Sequence, residues 1–210
     1  VGKWKALLPA IAIVGTLFLI WDVFFTQMGV WGFTDEHLIG LSFLGLPIEE
    51  MLFFVTVPYA CLFIYEVLNY FIKRDILGAY ARPTFTFLSG LLLLVGLVYV
   101  ESWYTSVTFL LTALWLVFLV WKNPHWLGRF LLSFLVALVP FFIVNGVLTG
   151  TGLANPVVWY NDAENLGIRI GTIPVEDTIY GLLLLSGNVY LYEFLRVRMI
   201  NPKEQELVVS

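Results

Sequence analysis

Long apolar runs recur along this chain, broken by short polar stretches. A helix that crosses a bilayer needs about 20 predominantly apolar residues. Six stretches read that way: roughly 5 to 25, 47 to 70, 84 to 101, 104 to 121, 128 to 148 and 174 to 195. The third and fourth are separated only by Glu101-Ser102-Trp103, which predicts a tight helical hairpin. The first lacks a small-residue cleavage signature and runs into an aromatic, acidic loop, so it reads as a retained helix rather than a removable signal. The pattern predicts an all-α fold, a polytopic membrane helical bundle of about six transmembrane helices.

Composition narrows what such a bundle does. Of the 210 residues, 60% are hydrophobic and 12% charged, whereas soluble domains have about 45–50% and about 25%. No stretch is left for a second soluble domain, so any chemistry belongs on or between the helices. A net charge of -4 provides no uniformly basic face, and no nucleic-acid partner is expected. Cys61 is the single cysteine, and His37 and His125 stand far apart without metal-ligand spacing, so no metal site is expected. There is no glycine-rich dinucleotide fingerprint, no phosphate loop and no Ser-His-Asp set, and hence no expected cofactor. The nearest approach to a metal-diphosphate motif, Asn161-Asp162-Ala163-Glu164-Asn165, is a poor one.

The eleven Lys and Arg residues are distributed by topology. Lys3, Lys5, Lys73, Arg74, Arg82, Lys122, Arg129, Arg196, Arg198 and Lys203 fall on one side of the six spans, and only Arg169 on the other. Because cytoplasmic loops are enriched in Lys and Arg, both termini are expected in the cytoplasm of a multi-pass cell-membrane protein. Loops 26 to 46 and 149 to 173 then lie on the opposite side. Trp21, Trp31, Trp103, Trp159 and Tyr160 near those loops read as an interfacial aromatic belt.

The chain also resembles itself. At an offset of 127 residues Pro47-Ile48-Glu49-Glu50 aligns with Pro174-Val175-Glu176-Asp177, Gly40 with Gly167, Phe53 with Tyr180, and Tyr65-Glu66 with Tyr192-Glu193. Allowing an insertion in the second loop also brings Asp22 opposite Asn145. Spans 1 and 2 are expected to repeat as spans 5 and 6 in parallel orientation, giving one unit at 1–101 and another at 102–210 within one membrane domain.

The recurring acids are the candidate chemistry. Proline favours a helix start, which places Glu49, Glu50, Glu176 and Asp177 in the first turns of spans 2 and 6. Acids there also simply complement the helix dipole, but recurrence with the same proline argues for more. Adjacent helical residues point about 100° apart, and the glutamates identical in both units, Glu49 and Glu176, are expected to face the interior. Asp22, near the same end of span 1, supplies a further carboxylate, with Asn145 as its uncharged counterpart. Arg169 is expected to keep a second-unit carboxylate ionised. Glu66 and Glu193, about 25 Å further along their helices, read as boundary acids that pair with nearby Lys and Arg.

These elements, above all Pro47-x-Glu49-Glu50-x-x-Phe53-Phe54 and Gly167-x-Arg169-Ile170-Gly171-x-x-Pro174-x-Glu176-Asp177-x-x-Tyr180, resemble the membrane-embedded lycopene cyclase domains of bacteria, archaea and fungi. The resemblance implies a carotenoid cyclase, an intramolecular lyase or isomerase that closes the linear ψ-ends of lycopene into rings of the β-carotene type without a cofactor. Glu49, Glu50, Glu176, Asp177 and Asp22 would be catalytic, with Asn145, Arg169, Tyr180 and Phe53 in support. The substrate would come from the bilayer among lipids, and association with itself or with other carotenoid enzymes is compatible with such a protein. A carotenoid hydratase, using the same first protonation, and a proton-coupled transporter are the alternatives.

Overall fold

A computed structural model describes residues 2–199. Lys203 and the polar tail after span 6 lie outside the described residues. Six long helices appear: α1 (Gly2–Gln27), α2 (Ile48–Phe71), α3 (Gly78–Val98), α4 (Trp103–Lys122), α5 (Leu127–Leu148) and α6 (Val175–Met199). The first five are long and apolar enough to cross a membrane. The sixth is as long but carries Glu176, Asp177, Asn188, Glu193, Arg196 and Arg198. It packs against α1, α2, α4 and α5, and this enclosure is what lets an apolar bundle accommodate so polar a helix.

The helix limits follow local chemistry. Pro47 occupies the cap position before α2 rather than its first turn, and Glu49 and Glu50 lie in that turn. Helix α3 starts at Gly78, six residues earlier than the apolar run, and carries Pro83 inside it, past the first turn, where one backbone hydrogen bond is forfeited. Asn123, in the left-handed conformation, ends α4.

Between membrane helices, association relies on packing and hydrogen bonds rather than on water exclusion. Small residues permit the closest approaches. A Cβ on Gly96 would come within 2.9 Å of Leu110, so α3 and α4 form the expected tight hairpin, and one on Gly128 would strike the Gly78 backbone at 2.5 Å. The core links Leu62 and Tyr65 of α2, Phe85 of α3, Leu116 of α4, Phe130 of α5, and Leu182 and Tyr192 of α6.

The long loops carry structure that the apolar pattern did not predict. Strand β1 (Trp31–Phe33) pairs antiparallel with β4 (Val158–Tyr160), with Trp31 opposite Tyr160 and Phe33 opposite Val158. Two hairpins, β2 (Ser42–Phe43) with β3 (Leu46–Pro47) and β5 (Arg169–Ile170) with β6 (Ile173–Pro174), run directly into α2 and α6. Each hairpin, and the helix it enters, recurs 127 residues later. The β1–β4 ribbon obeys the same offset about its centre, Gly32 opposite Trp159, so the two strands meet as symmetric partners.

Candidate functional site

An elongated cavity of about 210 Å³ lies among α2, α5 and α6. On α2 its lining runs through Glu50, Phe53, Val57, Ala60, Cys61 and Ile64, one face of the helix. Fourteen residues separate the first from the last, about 21 Å of helix. Apolar and aromatic side chains line nearly all of it, and the polar groups gather at one end. There the ribbon residues Trp31, Phe33, Val158 and Tyr160 form a roof over Asp22, Glu50 and Asp177.

Three helices deliver those three carboxyls. Asp22 comes from the last turns of α1 and is 1% exposed. Its Oδ1 accepts from Trp31 Nε1 at 2.5 Å, and its Oδ2 has no hydrogen-bond partner among the described residues. Asp177, in the first turn of α6, accepts three hydrogen bonds: from Tyr104 Oη at 2.5 Å, Asn145 Nδ2 at 2.7 Å and Tyr160 Oη at 2.8 Å. Glu50 faces the cavity with no hydroxyl or amide donor directed at it among the described residues, close enough to Asp22 and Asp177 for their charges to act on it.

The unequal donor sets have a sequence cause. At the 127-residue offset Phe33 stands for Tyr160 and Phe53 for Tyr180, so Glu50 lacks the phenol that Asp177 receives. Asn145 donates where its counterpart Asp22 has only acceptors. Burial, and then the Asp177 carboxylate beside it, push the Tyr160 phenol well above the ordinary tyrosine range, which keeps it a donor.

Of the glutamates expected to face inward, Glu176 is buried in the bundle and Glu49 partly so, but both serve to tie loops. Glu49 Oε1 accepts from the backbone N–H of Ile39 at 2.7 Å, and Glu176 Oε1 accepts from that of Leu166 at 2.8 Å, the same bond 127 residues apart. Glu176 is fully buried and also receives the Thr105 hydroxyl at 2.6 Å. Neither lines the cavity. Their identity in both halves reflects a shared loop-tying role, and the 100° step between neighbours turns Glu50 and Asp177 to the cavity instead.

Arg169 does keep a second-unit carboxylate ionised, but it is that of Asp162 in the loop. It pairs with Asp162 at 2.5 Å and donates to the Thr172 carbonyl at 2.9 Å, rather than meeting the first-turn acids of α6. Its guanidinium lies 5.8 Å from the centre of the Tyr160 ring, so it sits behind the roof. Phe53, Asn145 and Tyr180 do line the cavity.

Three site residues escaped the sequence reading. Trp31 and Tyr160, read there as lipid-interface aromatics, instead bond to Asp22 and Asp177, whereas Trp103 and Trp159 remain exposed as such a belt requires. Tyr104, just past the helical hairpin link, stacks on Tyr160 with centroids 5.7 Å apart. The only signal for any of them was a polar tip on an aromatic ring near recurring acids. Trp21, Trp31 and Tyr180 form a contiguous aromatic group with Phe18 and Phe25. No group of His, Cys, Asp and Glu suited to a metal ion occurs among the described residues.

The family model described as lycopene cyclase matches residues 2–68 and 101–195. A bifunctional lycopene cyclase/phytoene synthase of Neurospora crassa is 32% identical over 59 residues, 28% of this chain. The matched stretch spans 10% of that fungal protein's length. No solved structure matches.

Proposed function

The chain belongs to the lycopene cyclase family, and from that premise we propose that it closes the linear ends of lycopene into rings by proton transfer alone. The observation that carries this reading is the gathering of Asp22, Glu50 and Asp177 at the roofed end of an apolar cavity long enough to hold an extended chain. The reaction conserves atoms and electrons. A proton is added at C2 of the ψ-end, the cation at C1 is captured by the C5=C6 double bond, and loss of a proton leaves the ring.

Glu50, without donors and beside Asp22, is the group assigned to deliver the proton. Asp177, held by Tyr104, Tyr160 and Asn145, is the carboxylate assigned to stabilise positive charge and to take a proton back. Exchange with solvent between turnovers reprotonates Glu50 and frees Asp177, which resets the site. The faces of Trp31, Tyr180 and Phe53 attract the passing cation, and apolar walls keep water from capturing it. Glu49 and Glu176 hold the loops that roof the site.

The reading extends to organisation. The recurring hairpins, first-turn acids and symmetric ribbon support two homologous units, at 1–101 and 102–210, that contribute to one composite site. The ten-to-one distribution of Lys and Arg supports cytoplasmic termini, and a cysteine placed at Asp162 would then be labelled from outside intact cells.

The test is expression in cells that accumulate lycopene, with pigment mass and absorbance as readouts. A ring preserves the mass and twists its double bond out of the polyene plane, which shifts absorption to shorter wavelength, and in D₂O it carries one deuterium per ring. A product heavier by one water indicates a hydratase, and unaltered lycopene rejects both enzyme readings.

A further inference from the structure

The two hairpins differ in what they expose. At the first, Ile39, Leu41, Phe43 and Leu44 are 63–76% exposed. The second exposes Ile168 and Ile170 but is tied down by polar side chains. There Arg169 bonds to Asp162, and Thr172 Oγ1 lies 2.7 Å from that of Thr149 and 2.8 Å from that of Thr151. In the first hairpin the positions of Arg169 and Thr172 are taken by Ser42 and Gly45, and among the described residues no side-chain hydrogen bond secures its tip.

Leu44 makes the contrast sharper. It has φ +54°, a left-handed conformation, at the position where the second hairpin has Gly171 with φ +65°. An L-residue is strained there and glycine is not. Packing among the described residues does little to offset that strain, since Leu44 is 64% exposed. Large apolar side chains kept at a strained, solvent-facing tip call for an apolar environment outside the chain.

Depth identifies that environment. The Leu41 carbonyl accepts from the N–H of Ile48, and Glu49 holds the N–H of Ile39. The base of the hairpin is thus fixed beside the first turn of α2, a membrane-crossing helix. The exposed flank of α2 continues from there through Leu52, Val55 and Phe63. The apolar tip is an extension of a lipid-facing surface.

We propose that the 39–45 hairpin is a finger inserted among the acyl chains of the nearer leaflet, with Phe43 and Leu44 at its tip. It pins one half of the roof to the bilayer, whereas the other half is pinned to the protein by Arg169 and Thr172. This assignment is independent of the cyclase reading, because it concerns lipid contact and not turnover.

The test uses the full chain carrying Cys61→Ser, reconstituted in phosphatidylcholine vesicles, with a nitroxide attached at Leu44→Cys or Phe43→Cys. Asp162→Cys serves as the aqueous reference. Molecular oxygen, which concentrates in acyl chains, should relax the nitroxide more than a water-soluble nickel chelate does at both tip positions, and less at Asp162. Stronger relaxation by nickel at either tip position overturns the proposal. So does dipolar broadening between labels at Leu44, which would assign the patch to a second copy of the chain. Inclusion of two tip positions guards against one substitution that disturbs the hairpin.

Discussion

The Tyr65 hydroxyl donates to Glu193 Oε1 at 2.8 Å, joining α2 to α6 at the end of the bundle away from the carboxyl cluster. The reciprocal bond, from Tyr192 to Glu66 Oε1, has the same length. Both partners are displaced by 127 residues, so one bond is the other with the two helices exchanged. Arg196 bridges the carboxylates at 3.2 Å from Glu66 and 3.5 Å from Glu193. Glu66 and Glu193 do pair with a neighbouring arginine as boundary acids, and they also clasp the two central helices together.

This clasp is predicted to be structural. Loss of a hydroxyl that satisfies a largely buried carboxylate costs about 1–3 kcal/mol, so Tyr65→Phe and Tyr192→Phe should each lower the thermal midpoint in detergent. Because the two bonds share Arg196, the double substitution should depart from additivity. An unchanged midpoint in both single variants would mean that solvent replaces the phenols without cost.

The site predicts a split between neighbouring acids. Glu50→Gln and Asp177→Asn should each lower turnover by about 10²-fold or more, the scale of a lost proton-transfer group, with normal protein levels in the membrane. Glu49→Gln keeps the cavity intact and should reduce stability more than chemistry. The measurement is product formed per unit of inserted protein. Equal loss from Glu49→Gln and Glu50→Gln at equal abundance would reject the assignment of Glu50 to the proton.

The helices were legible because a bilayer imposes a length on apolar runs, and all six predicted runs became helices of that length, five of them also apolar enough to cross a membrane. The recurrence of Pro-x-Glu-acid was legible as well, since polar identities do not repeat by chance in an apolar chain. Which acid lines the cavity was not. Conservation between halves pointed to Glu49 and Glu176, but the same backbone bond made twice, to Ile39 and Leu166, preserves a glutamate as effectively as catalysis would. The strand pairing of Trp31 with Tyr160 was also hidden, because three-residue strands carry no periodicity. Without that pairing, two rings that bond to buried carboxylates look like lipid anchors.

The shape of the cavity predicts how to block it away from the carboxyls. Ala60 lines the cavity ten residues beyond Glu50, about 15 Å along α2. Ala60→Phe should obstruct an extended chain and leave the hydrogen bonds of Asp177 undisturbed. Conversion of lycopene should fall steeply while thermal stability changes little. Full activity in this variant would mean that the substrate does not run along α2.

The last prediction concerns acid. The hydrogen bond from Arg169, together with that from Asn165, holds the Asp162 carboxyl below its ordinary value of 3.8. A carboxyl that binds its proton less tightly folded than unfolded adds stability above its unfolded pKa and loses that contribution as pH falls through the folded value. The stabilising window for this pair therefore closes below about pH 4. Asp162 is largely exposed, so the pair is worth no more than about 1 kcal/mol and weakens with salt. Its consequence reaches further than its energy, because Arg169 also lies behind the Tyr160 ring, whose hydroxyl donates to Asp177. On lowering pH from 5 to 2 in detergent, the wild-type midpoint should fall more than that of Asp162→Asn, in which the pair is already broken, and the difference should shrink in high salt. Parallel pH profiles would remove Asp162 from the titration and leave Arg169 held by the Thr172 carbonyl alone.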